Sequence, residues 1–291
     1  MKKEKLTAYF GTAGNPEQFY DDGLKASVDM PKWLSEKGLN AYEYAAGRGV
    51  KLKEETARAI GDKAKEYGIK LSLHAPYYIN LAAFTAEQME KNVQYFISSV
   101  EAAQYMGADR IVFHAGGQGK NERKAAVEQV KRGLDQVLDR LTGLGYTTVK
   151  LLPETMGKKG QIGTLQEVIE FCKLSPLLAP TVDFGHLHAV AEGAYMLKEE
   201  YIKAFELIEK GLGKDILQTL HVHFSKIEYT KAGEKRHWTF ADDFGPPFEP
   251  FIEAVVECGL TPRVISESAG TQAKDAYIMK EYYEKLLKKT S

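Results

Sequence analysis

The chain has 291 residues, 44% of them hydrophobic, and its 39 Lys and Arg against 40 Asp and Glu leave a net charge of −1. That balance excludes a disordered or uniformly charged chain and supplies no global field for nucleic acid, although a local basic rim stays open. With only two cysteines, Cys172 and Cys258, a disulfide framework is excluded; both sit among apolar neighbours and read as buried free thiols in a reducing compartment.

The start MKKEKLTAYFGTAG is basic but lacks the apolar stretch of a leader, and no run of about 18 apolar residues occurs. The expectation is a cytoplasmic protein with no membrane partner. Along the chain, short β-rich runs follow one another as TAYFG, NAYEY, KLSLH, RIVFH, VKLLPE, PTVDF, LHVHF and RVISES. Helical patterns separate them. In TAEQMEKNVQYFISSVEAAQYMG, the residues Met89, Val93, Phe96, Val100 and Ala103 repeat at steps of four and three, with Thr85 and Gln88 placed as a capping box and Gly107 as the stop. The next connection repeats the device with Val127, Val130, Leu134, Leu138 and Leu141 before Gly143. Further helices are expected around Ile169, Phe205 and Val256, and the tail KEYYEKLLKKTS keeps Tyr282, Leu286 and Leu287 on one face of a last amphipathic helix.

Eight strand-then-helix units without a Pro/Ser-rich linker predict an α/β fold, a single (β/α)8 TIM barrel spanning residues 1–291. Such barrels usually take roughly 250 residues and carry their sites at the C-terminal ends of the strands. That rim is where the chemistry-bearing side chains fall: His74 with Tyr77, His114, Glu154, Asp183 with His186 and His188, His221 with His223, and Glu267; His237 lies further on in EKRHW.

Imidazole nitrogen and carboxylate oxygen are ligands for divalent zinc, manganese and iron, and the lack of thiolate argues against a structural zinc finger. Burying several ionised carboxylates beside histidines without a cation costs several kcal/mol each. At least one divalent metal is therefore expected at the rim. His188 and His223 each follow a stronger candidate by two residues and read as rim or ligand-orienting residues. The loop MGKKGQIG after Glu154 has the glycines and lysines of a phosphate-approaching loop without a Walker pattern. Tyr77 and Arg48, just after the third and second strands, are placed to stack on a sugar or pair with a phosphate. Trp33 and Trp238 read as packing residues, and Ser266 and Ser268 lack a nucleophile elbow.

Taken together, HAPYYINLA, PETMGKKGQIG, DFGH and ISES resemble the endonuclease IV family, the metal-dependent AP endonucleases of base-excision repair, from about the second strand to the eighth. The resemblance implies zinc bound as two or three ions, with manganese or iron accepted by the same ligand types. It implies a first ion on His74, His114 and Glu154, and a second on Glu154, Asp183, His221 and Glu267, with Glu154 and Glu267 at the catalytic centre. A third would take His186 and His237 with an acidic residue just before the latter. Here the family has Asp-x-His, whereas this chain has Lys235 two positions before His237 and Glu234 one further upstream, so either Glu234 substitutes or the third ion is bound weakly or not at all. His114 is followed by Ala-Gly where Pro-Gly is usual, and His223 stands where the family generally has a polar amide.

The implied reaction is hydrolysis of the phosphodiester 5′ to an abasic site in duplex DNA, by a monomer. The alternative is a sugar isomerase or epimerase of the xylose-isomerase-like superfamily, holding one divalent ion on Glu154, Asp183, His221 and Glu267. The additional pair His74 and His114 favours the multinuclear reading.

Overall fold

A computed structural model describes residues 7–290, so the basic start through Leu6 and the final Ser291 lie outside the described residues. The first half runs β1 (Tyr9–Ala13), α1 (Glu17–Asp21), α2 (Met30–Glu36), β2 (Ala41–Ala45), α3 (Glu54–Tyr67), β3 (Lys70–His74), α4 (Ala86–Met106), β4 (Arg110–Phe113) and α5 (Arg123–Gly143). The second runs β5 (Lys150–Pro153), α6 (Leu165–Cys172), β6 (Thr181–Asp183), α7 (Phe184–Val190), α8 (Lys198–Leu212), α9 (Lys214–Gln218), β7 (His221–Phe224), β8 (Lys226–Thr230), β9 (Gly233–Trp238), α10 (Phe248–Glu257), β10 (Arg263–Ser266) and α11 (Gln272–Thr290).

All eight expected strands are present, as β1 to β7 and β10, and they form one sheet in the order β5-β4-β3-β2-β1-β10-β7-β6. Every named pairing within it is parallel. Between β5 and β6 the ring is drawn together by isolated parallel bridges, Leu151 with Leu178 and Glu154 with Thr181. The result is a nearly closed (β/α)8 barrel.

The helices form for the reasons the sequence displays. In α4, Met89, Val93, Phe96, Val100 and Ala103 are all buried, Thr85 Oγ1 accepts the Gln88 backbone N–H at 3.3 Å, and Gly107 ends the helix in the left-handed region at φ 70°. Burying a side chain such as Phe96 contributes about 1.5–3 kcal/mol. The helix α6 carries a full capping box, Thr164 with Glu167. Among the described residues no helix is long and apolar enough to cross a membrane.

One expectation is corrected here. Cys172 is buried, but Cys258 is exposed, because it falls at the end of α10, where the buried face of the helix stops. The segment around EKRHW is the second strand of an antiparallel hairpin, β8–β9, inserted between β7 and α10. That hairpin docks on the loop after β5 through a bridge between Lys158 and Gly233.

The barrel interior is layered. On the floor, the buried Arg263 reaches across to the Leu71 carbonyl at 3.0 Å and to both Asp109 oxygens at 2.8 and 3.0 Å. Above it, the period-2 alternation of β7 sends Val222 and Phe224 into the apolar core and turns His221 and His223 to the interior.

Candidate metal centre

Glu154, buried at the end of β5, is the hub of the upper layer. Its Oε2 lies 3.0 Å from His114 Nε2 and 3.3 Å from His74 Nε2, and its Oε1 lies 3.0 Å from His223 Nδ1 and 3.6 Å from His186 Nδ1. Asp183 closes β6 and caps α7, its Oδ1 accepting the His186 backbone N–H at 2.7 Å. The other oxygen, Oδ2, is buried without a hydrogen-bond partner and stands 3.5 Å from His186 Nδ1. Glu267, one residue beyond β10, faces His223 Nδ1 at 3.4 Å and His237 Nδ1 at 4.0 Å.

On the outer side, the hairpin delivers Glu234 and His237. Glu234 Oε2 is 3.5 Å from His186 Nε2, and its Oε1 is 3.5 Å from His237 Nε2. Gly157 makes this approach possible, since a Cβ there would sit 2.7 Å from both Glu234 Cβ and His186 Cδ2.

The tautomers are set from behind. The His74 ring meets the Ala75 carbonyl at 2.9 Å through Nδ1, so this nitrogen donates and Nε2 is the nitrogen turned to Glu154, the one that would ligate a cation once deprotonated. His186 Nδ1 likewise donates to the Thr155 carbonyl at 2.9 Å, which leaves Nε2 toward Glu234. His237 Nδ1 meets Ser225 Oγ at 2.8 Å.

The charges describe a trap for cations. Burial would push the Glu154 carboxyl up, yet His223, His114 and His74 hold it well below the usual range, and Glu43 is held low in the same way by His223 and His221. Burial would lower His186, but Asp183, Glu154 and Glu234 raise it to about 9. Glu267 is pushed up, first by burial and then by Glu154. Without a metal, protons take the positive charge that this many carboxylates demand.

The donor set fits divalent ions. Within it, His74, His114 and Glu154 form one group, Glu154, Asp183, His186 and Glu267 a second, and His186, Glu234 and His237 a third, each with ligand atoms within 4.8 Å of one another. Asp183 Oδ2, buried and unpaired, is the kind of atom that a cation satisfies.

One candidate ligand is displaced. His221 does not reach Glu154, Asp183 or Glu267; it sits one layer lower, with Nε2 3.0 Å from Glu43 Oε2, and it is His223 that faces Glu154 and Glu267. The register explains this, since His221 pairs with Thr181 and Arg263 near the floor, whereas His223 pairs with Asp183 and Ile265. Glu43 is a residue that the sequence reading missed. Its signal was present in AYEYA, where a carboxylate alternates with Ala41 and Ala45 on one strand face. His188 stands apart, its Nδ1 donating to the Ala194 carbonyl.

The mouth is a cavity of about 570 Å³ lined by Tyr77, Lys158, Gln161, Gln272 and the outer ligand candidates. Tyr77 stacks on His114 at 5.3 Å between ring centroids, and burial pushes its hydroxyl up to about 12. Arg48 is exposed and is not among the residues lining this cavity. Trp33 is buried against Phe19, and Trp238 stacks on Phe244 under Arg236, so both are packing residues. Ser266 and Ser268 are buried and hydrogen-bond each other at 3.3 Å.

A parallel barrel whose C-terminal mouth gathers imidazoles and carboxylates around one shared glutamate is a barrel with the ligands to hold metal at its mouth. Residues 31–286 match the family described as xylose isomerase-like TIM barrel, and the chain belongs to it. An uncharacterised protein of Methanocaldococcus jannaschii is 34% identical over 286 residues, which is 98% of this chain and 100% of that protein. A probable endonuclease 4 of Staphylococcus carnosus is 28% identical over 214 residues, 70% of each chain. Among solved structures, a D-tagatose 3-epimerase-like protein superposes with a TM-score of 0.73 at 20% identity, covering 97% of this chain and 100% of that one. Endonuclease IV from Thermus thermophilus does so at 0.70 and 17%, covering 95% and 99%. At such identities the structural likeness carries the fold alone.

Proposed function

We propose that this chain is an endonuclease IV-like phosphodiesterase that cleaves the DNA backbone 5′ to abasic sites. The observation that carries this reading is the adjoining of three ligand groups at one mouth, two of them sharing Glu154, with His74 and His114 on one flank and Glu234 and His237 on the other. A one-metal isomerase has no need of either flank. The kinship with probable endonuclease 4 proteins points the same way.

His74, His114 and Glu154 would hold one ion, Glu154, Asp183, His223 and Glu267 a second, and His186, Glu234 and His237 a third; zinc suits these ligands. Bound there, divalent ions supply a water acidified toward neutrality and positive charge for the phosphate oxygens. The protein does the rest by placement. Glu154 spaces the two inner groups through its separate oxygens, and the tautomers fixed by Ala75 and Thr155 keep lone pairs turned to the cavity. Lys158 and Gln161 reach the same cavity from the loop after β5 and offer a cation and an amide to a phosphate. Tyr77, about half exposed and lining the same cavity, offers an aromatic contact to an extruded deoxyribose, a step made cheap because an abasic nucleotide has no base to unpair.

The superposition on the epimerase-like protein keeps a second reading in view, in which Glu154, Asp183, His223 and Glu267 hold a single ion beside a sugar carbonyl. Incision of a duplex bearing one abasic-site analogue, compared with turnover of ketohexoses by the same preparation, separates the two; epimerisation without incision would overturn the nuclease reading.

A further inference from the structure

We propose that Glu43 is a positioning residue for the metal centre, holding His223 by Nε2 so that Nδ1 is the nitrogen presented to a cation. The inference rests on the metal reading above and adds a residue that touches neither ion nor substrate.

His223 is fully buried with a carboxylate on each side of its ring. Nε2 lies 2.9 Å from Glu43 Oε1, obliquely to a hydrogen-bond axis, while Nδ1 lies 3.0 Å from Glu154 Oε1 and 3.4 Å from Glu267 Oε1. A neutral imidazole that ligates through one nitrogen must keep its proton on the other, and a carboxylate behind the ring fixes which is which. Among the described residues, Glu43 is the carboxylate on the Nε2 side.

Glu43 is itself held rigidly. Its Oε2 accepts from Ser72 Oγ at 2.8 Å and from His221 Nε2 at 3.0 Å, so β2, β3 and β7 all converge on one carboxylate. It is wholly inaccessible and is not part of the mouth cavity. A carboxylate in that position has no access to substrate, and its reach to the centre is through His223. His221 gains a role from the same arrangement, because its Nε2–H occupies the second Glu43 oxygen and leaves Oε1 for His223. The histidine expected to be a ligand thus supports the residue that orients one.

The test uses the full chain, stripped with a chelator and reloaded with Co2+, comparing wild type with Glu43→Gln and Glu43→Ala. Stoichiometry, affinity by competition with a chromophoric chelator, and the visible cobalt spectrum are read together, with circular dichroism as the check on folding. The expected result is wild-type stoichiometry, a shifted cobalt spectrum in both variants, and an affinity loss of about 10–100-fold in Glu43→Ala, the usual effect of removing a carboxylate behind a ligating histidine. Glu43→Gln keeps the shape and an acceptor oxygen, so its loss is smaller; it carries the test if Glu43→Ala does not fold. Wild-type affinity and spectrum in a folded variant would overturn the proposal. Loss of one whole ion would also overturn it, since Glu43 would then be a ligand itself. Wild-type protein that takes up no stoichiometric metal would remove the metal reading and this inference together.

Discussion

Glu154 Oε1 and His223 Nδ1 meet at 3.0 Å across the barrel mouth, joining the ends of β5 and β7, while His221 on the same strand turns its Nε2 to Glu43. Two histidines two residues apart thus do different work. His223→Ala is expected to remove metal from the inner group and to abolish activity. His221→Ala should keep the metal stoichiometry and instead destabilise the fold by about 1–3 kcal/mol, because it strips a partner from a buried carboxylate. Metal analysis and denaturant unfolding of the two variants check this, and metal loss in His221→Ala alone would reverse the assignment.

The hairpin contribution is separable. Glu234 lies 3.5 Å from both His186 and His237 and is held low, to about 2, by His237 and His186 against the effect of burial. Glu234→Ala should lose one ion while the inner groups keep theirs, and incision should slow by about two orders of magnitude, as removal of transition-state charge stabilisation commonly does. Metal counting beside single-turnover kinetics tests this; an unchanged rate would remove the hairpin from the chemistry.

Metal removal should also weaken the fold. An ion that binds the native state alone stabilises it by about 2.7 kcal/mol at a hundredfold excess over Kd. For a chain of this size that is a drop in Tm on the order of 4–5 °C after chelation. Calorimetry with and without chelator, followed by zinc return, reads it directly.

Acid sensitivity has a source far from the mouth. Burial would raise the Asp109 carboxyl, but the Arg263 and Arg110 guanidiniums hold it well below its ordinary 3.8. A carboxylate depressed in the folded state contributes stability that is fully present above 3.8 and is lost as pH falls through the folded value. Asp109→Asn should therefore be less stable than wild type at neutral pH, and the gap should narrow below pH 3.8. Denaturant titrations of metal-free protein across that range test the sign; a gap that widens in acid would contradict it.

The strands and the barrel were legible because each run is short, β-rich and separated by capped helices, as with Thr85 and Gly107 around α4. The cluster of candidate ligands was legible because His74, His114, Glu154, Asp183 and Glu267 all end strands or follow them directly. The choice between His221 and His223 was not, since a period of two sends both inward and only the register against β6 and β10 separates the layers. Glu43 escaped because a single carboxylate in a strand reads as a solvent-facing residue until its partners from β3 and β7 are in place. The β8–β9 hairpin was hidden by its charge: Lys226, Lys235 and Arg236 resemble a solvated loop, although Gly233 supplies the turn at φ 105°.

The most direct test of a multinuclear AP endonuclease is incision of a duplex oligonucleotide carrying one abasic-site analogue, by protein as purified, after chelation and after return of zinc or manganese, with Glu154→Ala and His114→Ala alongside. The expected result is cleavage 5′ to the lesion that disappears with chelator, returns with metal and is missing in both variants. Metal demonstrably bound with no incision, or full incision by Glu154→Ala, would contradict it.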